Sequence, residues 1–247
     1  MPQQLEEERV SAAVDVQHRF VIGRHDLLTG GNVEITSDDT TASTVLHFEP
    51  ADRVLSLYSA FVQDEIALAA DRLWITPGIR LLKNSYTGVE AHPGVRVRWK
   101  PAPGHSLWAA ASRTVRLPSR FDRDLRFTGA ADRVIVAGSD EFVAETVVAL
   151  EAGFRTSLTK RASVDVAAFT NRYDDLRSQR PGRPDDIGLA MVANDLNGRG
   201  SGVEISAQVQ AAPWLRLHGS YTRLATSTSV ETGKIDLGGG AVEFNDP

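Results

Sequence analysis

The stretch from Leu107 to Leu125 reads LWAAASRTVRLPSRFDRDL, and its character changes half-way along. The first half mixes apolar and polar residues in the way of a β-strand with one apolar face. The second half is dense in arginine and aspartate, with neither a helical period nor a set of metal ligands. The sequence therefore predicts a strand that runs into a long charged connection.

Composition excludes several classes of protein. The chain has 247 residues, 42% of them hydrophobic, and a formal net charge of −5. A mildly acidic balance without a basic stripe does not suggest a nucleic-acid partner. The absence of cysteine excludes disulfides, cysteine-ligated zinc and thiol catalysis. No apolar run approaches the 18 or so residues of a membrane helix.

Alternation with a period of two residues recurs along the chain. In Gly202–Gln210, for example, Val203 and Ile205 share one face while Glu204 and Ser206 share the other. About ten segments show this pattern, many of them near the roughly ten residues of a tilted membrane strand. They span 9–22, 25–37, 53–68, 72–83, 91–100, 105–116, 143–157, 161–175, 190–210 and 214–226.

The connections between these segments alternate between short and long. The short turns are Gly23–Arg24, Ala69–Asp71, Pro101–Gly104, Leu158–Lys160 and Ala211–Pro213, and the long polar links are 38–52, 84–90, 117–142, 176–189 and 227 onward. Transmembrane β-barrels have this asymmetry, with short periplasmic turns and long extracellular loops. The predicted fold is therefore all-β: an antiparallel transmembrane β-barrel, here an incomplete, open barrel of about ten strands.

The aromatic and charged residues of these segments fit a barrel. Each of the four tryptophans lies near a short turn, which predicts an aromatic girdle at the membrane interface. Trp74, Trp108 and Trp214 share the parity of the polar face, however, so a bulge or packing inside the lumen stays open for them. Strand charges would line a wet lumen in a barrel and a solvated face in a soluble sheet: Arg80, Arg96, Arg98, Lys100, Glu151, Arg155, Glu204 and Arg216.

Several stretches together resemble the barrel region of a TonB-dependent outer-membrane receptor. The block FVQDE followed by SLWAAASRTVRLPSR is the more specific part, and Glu151-Ala152-Gly153 and Gly202-Val203-Glu204 resemble the E-x-G and G-x-E strands of that family. The similar stretches are Val16–Gly31, Ser59–Leu68, Gly78–Arg120, Ala144–Arg155, Phe169–Ser178 and Gly200–Leu224.

The resemblance implies a function and a set of partners. Such a receptor takes up a scarce solute across the outer membrane of a Gram-negative bacterium, with energy delivered through TonB. Ferric siderophores are the family's commonest substrates, and cobalamin, other metal chelates and carbohydrates use the same barrel. The expected partners are outer-membrane lipid, TonB and a small-molecule ligand, for a barrel that is monomeric when complete. No bond is made or broken, so no catalytic residue, cofactor or metal site is expected.

The family pattern is incomplete in this sequence. A signal peptide, a plug domain and a TonB-contacting segment are not visible before Val10, and the terminal aromatic-ended strand is missing. A transporter barrel has about 22 strands around a plugged lumen. We therefore expect residues 1–247 to be a partial barrel domain, an internal piece of a longer receptor.

The charged link after the opening strand allows two interpretations. In the first, Pro118–Phe142 is a solvated loop with internal ion pairs, each worth little at a surface. In the second, it binds an anionic ligand such as a ferric chelate. The near-equal charge count favours the first: Arg116, Arg120, Arg123, Arg126 and Arg133 against Asp122, Asp124, Asp132, Asp140 and Glu141. The ligand-contacting residues stay unassigned.

Other side chains that could do chemistry do not form a motif. The six histidines are scattered, and Gly200-Ser201-Gly202 lacks the spacing of a nucleophile elbow. The acid pairs Asp38-Asp39 and Asp185-Asp186 could hold calcium, but solvated loop acids are far commoner. A passive porin-like channel, an outer-membrane enzyme or adhesin, and a soluble all-β binding module stay open as alternatives.

The alternation also predicts which residues face lipid: Val33, Ile35, Ile75, Ile79, Val95, Val97, Val203, Ile205, Val209, Leu215 and Leu217. At one of these positions, Ile205→Val should be tolerated. Ile205→Arg should destabilise the barrel by about 2–4 kcal/mol near the bilayer midplane, since a charge there is placed in hydrocarbon. Membrane insertion and heat stability of the complete barrel measure the effect. Unchanged values for Ile205→Arg would show that this face is assigned wrongly.

Overall fold

Ten long β-strands make up most of the chain in the computed structural model, which describes residues 4–130, 133–240 and 243–244. Each long strand contains or overlaps one of the segments predicted from the alternation. The long strands are β1 (Glu6–Ile22), β2 (His25–Thr41), β4 (Arg53–Ala69), β5 (Leu73–Asn84), β6 (Gly88–Trp99), β7 (His105–Arg116), β10 (Glu145–Thr159), β11 (Ala162–Pro181), β12 (Ala190–Ala212) and β13 (Leu215–Val230).

The ten strands lie side by side in chain order, and each pairs with the next in antiparallel register. The resulting meander is open. Its first strand, β1, pairs only with β2 among the described residues, and its last long strand, β13, meets β12 and the two-residue β14 (Glu243–Phe244). The predicted open, antiparallel sheet of about ten strands is confirmed.

The register divides the sheet into an apolar and a polar face. Val97, Ala109 and Ala152 stand beside each other on one face, and Arg96, Ala110 and Glu151 on the other. All eleven residues predicted to face lipid lie on the apolar face by this register. Many of them are well exposed, such as Ile205 at 41% and Leu217 at 51%. The sheet therefore has no hydrophobic core of its own.

The core lies instead among the long connections at one end of the sheet. These contain three short strands, β3 (Leu46–Phe48), β8 (Leu125–Thr128) and β9 (Val134–Ala137), and one helical turn, α1 (Arg120–Arg123). The three strands pair antiparallel in the order β3-β8-β9, and β9 pairs in parallel with the start of β12. We call the connections 42–52, 117–130 with 133–144, and 182–189 together the loop cap; Asp132 of the charged link lies outside the described residues. The buried apolar side chains lie in the loop cap or towards the strand ends on its side of the sheet: Phe48, Leu82, Leu125, Ala137, Phe142, Ala144, Ala190, Met191, Val192 and Leu196.

One predicted long link is a tight turn. Residues 84–90 were expected to form a polar loop, but β5 and β6 stay paired up to Asn84 and Gly88 and leave three turn residues. The Asn84 side-chain oxygen accepts the backbone N–H groups of Tyr86 at 2.7 Å and Thr87 at 2.9 Å. Gly88 has φ +79°, a conformation that glycine adopts readily. The alternation of connection lengths is therefore not strict.

Three glycines of the polar face each receive an aromatic ring from the neighbouring strand. Gly153 pairs with Trp108, and a Cβ atom on Gly153 would meet the indole Nε1 at 2.5 Å. The same relation holds between Gly30 and Phe61, and between Gly202 and Phe169. Gly153 and Gly202 are the glycines of the E-x-G and G-x-E segments. These glycines let a ring lie flat on the sheet where a side chain would lift it.

The tryptophans do not all form a girdle. Trp108 and Trp74 lie on the polar face, the first against Gly153 and the second with the Arg98 guanidinium 4.3 Å from its ring centroid. Trp99 lies on the apolar face, and Trp214 is 83% exposed in a turn. Packing on the polar face therefore accounts for the parity of Trp74 and Trp108, and a girdle position is left to Trp99 and Trp214.

Replacing a glycine beneath a ring should loosen the sheet. We expect Gly153→Ala to displace Trp108 and to cost about 1–3 kcal/mol, the usual range for overpacking. Gly219→Ala on β13 is the matched control, because nothing lies within 4 Å of a Cβ atom at that position. The temperature at which the complete barrel unfolds on unboiled gels measures both variants. Equal temperatures would show that the ring does not depend on Gly153.

Candidate functional site beneath the loop cap

The helical turn α1 follows from its local sequence. Ser119 precedes it, and both the backbone N–H and the hydroxyl of Ser119 donate to one Asp122 carboxylate oxygen at 2.9 Å. This arrangement satisfies a free N–H at the helix start and sets the chain direction after Pro118. The charged side chains of the segment Arg120–Asp124 are thereby fixed at the centre of the cap.

Arg120 connects three parts of the chain although only 4% of it is exposed. Its guanidinium donates to Asp124 at 3.1 Å, to the carbonyl of Ala51 at 3.1 Å and to the carbonyl of Pro50. It also lies 3.4 Å from the buried carboxylate of Asp38, near the end of β2. A buried charge is tolerated only with such partners, so Arg120 holds the β2–β4 connection against α1.

The two aspartates of α1 and its C-cap connect further strands. Asp124 accepts a hydrogen bond from the Tyr86 hydroxyl at 3.3 Å and pairs with Arg53 at 3.2 Å. Asp122 pairs with Arg116 at 3.0 Å and with Arg177 at 3.5 Å. Internal ion pairs are therefore confirmed for the charged link. Its expected solvation is wrong, because Asp122 and Asp124 are almost completely buried.

Burial and pairing change the ionisation of this cluster. Burial by itself would raise the pKa of Asp122, but hydrogen bonds from Ser119 and Arg116 outweigh it and lower that pKa. A carboxylate with a lowered pKa stabilises the fold above about pH 4, and the contribution is lost as the pH falls through the folded value. Burial raises the pKa of Tyr86, and the negative charge of Asp124 adds to the shift.

The contacts of α1 also identify the inner face of the sheet. By register, Asp38, Arg53 and Arg116 belong to the polar face, and each contacts α1 or its C-cap, Asp124. The loop cap therefore covers the polar face, and the apolar face stays outside. Seven of the eight predicted lumen charges lie on the polar face, and Lys100 lies in the turn after β6.

A hollow of about 580 Å³ lies on the polar face of β4 to β7. Its floor contains residues with short side chains, such as Gly78 and Gly94. The charged residues that line it are Glu65, Arg80, Arg96, Arg113 and Glu151. Arg80 donates to the Ser59 hydroxyl at 2.9 Å, whereas Arg96 has no hydrogen-bond or ion-pair partner within the described part of the chain. The arrangement provides a polar recess with two guanidinium groups that are not neutralised by carboxylates.

Beside this hollow, the ladder between β6 and β7 is replaced by side-chain contacts. It ends at Gly94, because Pro93 has no N–H to donate. Above that point the Arg113 side chain donates to the Ala91 carbonyl at 2.7 Å, and Thr114 bonds to His92 at 2.8 Å. Sequence reasoning missed this opening, although a proline inside a strand was the signal for it.

The acid pairs give no cation site. Asp38 is buried between Arg9 and Arg120, and Asp186 accepts a hydrogen bond from Arg180 that lowers its pKa. Within residues 4–130, 133–240 and 243–244, no group of three or more acidic or histidine side chains is placed to hold a metal ion. No helix in that same part of the chain is long and apolar enough to cross a membrane.

A meander with an apolar outer face, a charged inner face and folded loops at one end defines the wall of an outer-membrane barrel. Comparison with protein families then gives the particular class. Residues 6–245 match the family described as TonB dependent receptor-like, beta-barrel, so the chain belongs to that family. Its members are transporters of the Gram-negative outer membrane and not enzymes. The predicted family, location and lack of catalysis are thereby confirmed.

Solved structures share the fold at low sequence identity. The FrpB iron transporter of Neisseria meningitidis has a TM-score of 0.70 and 12% identity, with 93% of this chain and 37% of that chain covered. For a mutant of the ferric enterobactin receptor PfeA of Pseudomonas aeruginosa, the TM-score is 0.69 and the sequence identity is 16%. The match covers 91% of this chain and 39% of that chain. For the copper transporter OprC, the TM-score is 0.66 and the sequence identity is 14%, with 94% of this chain and 39% of that chain covered. No curated protein sequence matches significantly.

The buried guanidinium of Arg120 should decide whether the cap stays closed. We expect Arg120→Met to cost about 3 kcal/mol, because it leaves Asp38 and Asp124 buried with fewer partners. Arg183→Met is the control, since Arg183 is 59% exposed and its ion pair with Glu141 is a surface pair. Hydrogen exchange of residues 117–130 and 133–144 in outer-membrane vesicles measures the opening. Equal protection in both variants would mean that Arg120 does not hold the cap.

Proposed function

We propose that this chain forms part of the wall and loop cap of a transporter that takes up a ferric siderophore or another metal chelate. The energy for uptake is delivered through TonB. The chain spans between 37 and 39% of the length of the three receptors compared above. Further strands then close the barrel between β1 and β13, and a plug fills the lumen. The open outer edge of β1 supports this arrangement, since an unpaired edge is costly in a membrane.

The observation that carries the proposal is the closed loop cap. Ion pairs and hydrogen bonds of Arg120, Asp122 and Asp124 hold α1 to the ends of β2 and β7 and to the β2–β4 connection. A solute therefore does not pass this part of the polar face without displacing ordered chain. A closed loop cap suits a transporter that first binds its solute and then releases it with energy delivered through TonB. It is less suited to the free diffusion of a porin, which is the main alternative.

The hollow supports the class of solute. Three arginines, Arg80, Arg96 and Arg113, line it against two carboxylates, of which Glu65 is paired with Arg98. Arg80 and Arg96 have no carboxylate partner among the described residues, so the recess attracts a negatively charged solute. Ferric siderophores and many other metal chelates are anionic. The names of FrpB, PfeA and OprC describe iron, ferric enterobactin and copper as the cargo of those proteins, which is in keeping with a metal-containing solute here.

The test is uptake by the complete receptor in the bacterium that encodes it. Radiolabelled ferric catecholate and hydroxamate siderophores are offered under iron limitation to cells with and without the gene, and to cells with inactive TonB. We expect uptake of one of these chelates to require both the receptor and TonB. Receptor-dependent uptake that continues without TonB would favour the passive channel.

A pair of variants tests the hollow within the same assay. Arg96→Gln removes an unpaired positive charge and should raise the half-saturating chelate concentration about fivefold, as expected for one exposed charge contact. Arg216→Gln lies on the same face outside the hollow, where Arg216 donates to Gln210 at 3.1 Å, and should leave uptake unchanged. Equal effects of the two substitutions would exclude a specific role for the hollow.

A further inference from the structure

The outer face of the sheet has an apolar groove on the side of the short turns. Ala109, Ala152 and Ala168 stand next to each other on β7, β10 and β11, and their short side chains form its floor. Trp99 and Phe154 project beside that floor and remain 48% and 36% exposed. The groove provides about 510 Å³ of space along the outer face and is open on its outer side.

The turns next to this groove are basic. The β6–β7 turn begins with Lys100, and the β10–β11 turn consists of Lys160 and Arg161. These two turns contain no acidic residue, and all three basic side chains are exposed. Within the described residues, the side chains of Lys160 and Arg161 make no hydrogen bond or ion pair; only the backbone N–H of Arg161 donates to the Thr159 hydroxyl, at 3.1 Å. The extracellular connections, in contrast, contain more acidic than basic residues. A positive charge therefore lies at one end of the groove.

The spacing between groove and charge matches one lipid leaflet. Phe154 and Val166 lie five or six residues along their strands from the β10–β11 turn. At about 3.3 Å per residue and a tilt of about 40°, this places the groove roughly 14 Å from the turn. Half of a hydrocarbon core is about 15 Å thick. An acyl chain that starts at the level of the turns therefore reaches the groove.

We propose that this groove binds one anionic phospholipid of the periplasmic leaflet. An acyl chain lies on the alanine floor beside Phe154, and the headgroup phosphate is held by Lys160 and Arg161. Lys100 adds to the positive charge of the rim, while its ammonium lies 5.1 Å from the centroid of the Trp74 ring on the polar face. Basic residues at a membrane surface attract anionic headgroups, and their long side chains extend to the level of the phosphate. The charge at the turns selects the anionic headgroup. A zwitterionic lipid gains affinity from the contacts of its acyl chain with the groove, but little affinity from the basic turns.

The experiment uses the complete receptor, purified from outer membranes in mild detergent and titrated with defined lipids. Phosphatidylglycerol and phosphatidylethanolamine with identical acyl chains are compared by native mass spectrometry, which resolves the number of lipids bound. We expect one phosphatidylglycerol to bind at least tenfold more tightly than phosphatidylethanolamine. Equal binding of the two lipids would overturn the proposal.

Variants separate the headgroup from the acyl chain. In Lys160→Gln/Arg161→Gln, two basic residues are removed, each worth about fivefold at an anionic surface, so affinity for phosphatidylglycerol should fall about 30-fold. Affinity for phosphatidylethanolamine should not change. Ala152→Leu fills the groove and should weaken both lipids, and Ala168→Leu gives the same test on the next strand. Arg24→Gln removes a basic residue from the β1–β2 turn and is the matched control.

The outcomes are separable from those of the uptake test. Retained phosphatidylglycerol binding in the double glutamine variant, or in both leucine variants, would overturn the assigned groove. If Arg24→Gln lowered the affinity for phosphatidylglycerol as much as the double variant does, the basic residues would attract the lipid only in a general way. That result would also overturn the assigned groove. A receptor that takes up its chelate but binds both lipids alike would leave the proposed function intact.

Discussion

Inside a membrane no water is available to a backbone N–H or C=O group, so each strand must find its hydrogen-bond partners in its neighbours. The ten long strands meet this demand by pairing in chain order, which needs only short connections on one side. The other features depend on this ladder. It fixes the register, the register separates an apolar from a polar face, and the polar face gives the loops a charged surface on which to fold.

The ladder leaves the protein without a core between its strands, so the buried part of the chain lies elsewhere. Lipid covers the apolar face, and most of the apolar side chains that are removed from solvent by protein contacts lie in the loop cap or at the ends of the strands beside it. The cap is held by ions as well as by apolar contacts. Arg120, Asp122 and Asp124 are buried because each has at least two partners, and a single unpaired charge at that depth would open the cap.

The two faces of one strand serve different surroundings within a few residues. On β10, Glu151 belongs to the charged hollow, Gly153 supports the ring of Trp108, and Ala152 between them forms the floor of the outer groove. The hollow on the polar face and the groove on the apolar face are therefore separated only by the thickness of the sheet. This is possible because side chains alternate between the two faces without exception while the ladder stays in register.

The sequence by itself determined the strands and their faces. The period of two residues is a local property, and in a membrane it has one interpretation, so Val203, Ile205 and Val209 could be assigned before any coordinates. Only the tertiary structure decided how the charged link folds. Arg120 contacts Asp38 near the end of β2 and Phe48 and Ala51 of the β2–β4 connection. The period of the sequence does not indicate which charged residues will pair or whether they will be buried. The near-equal number of acidic and basic residues predicted ion pairs in the charged link but did not predict that they are buried. Burial depends on contacts between segments that are distant in sequence.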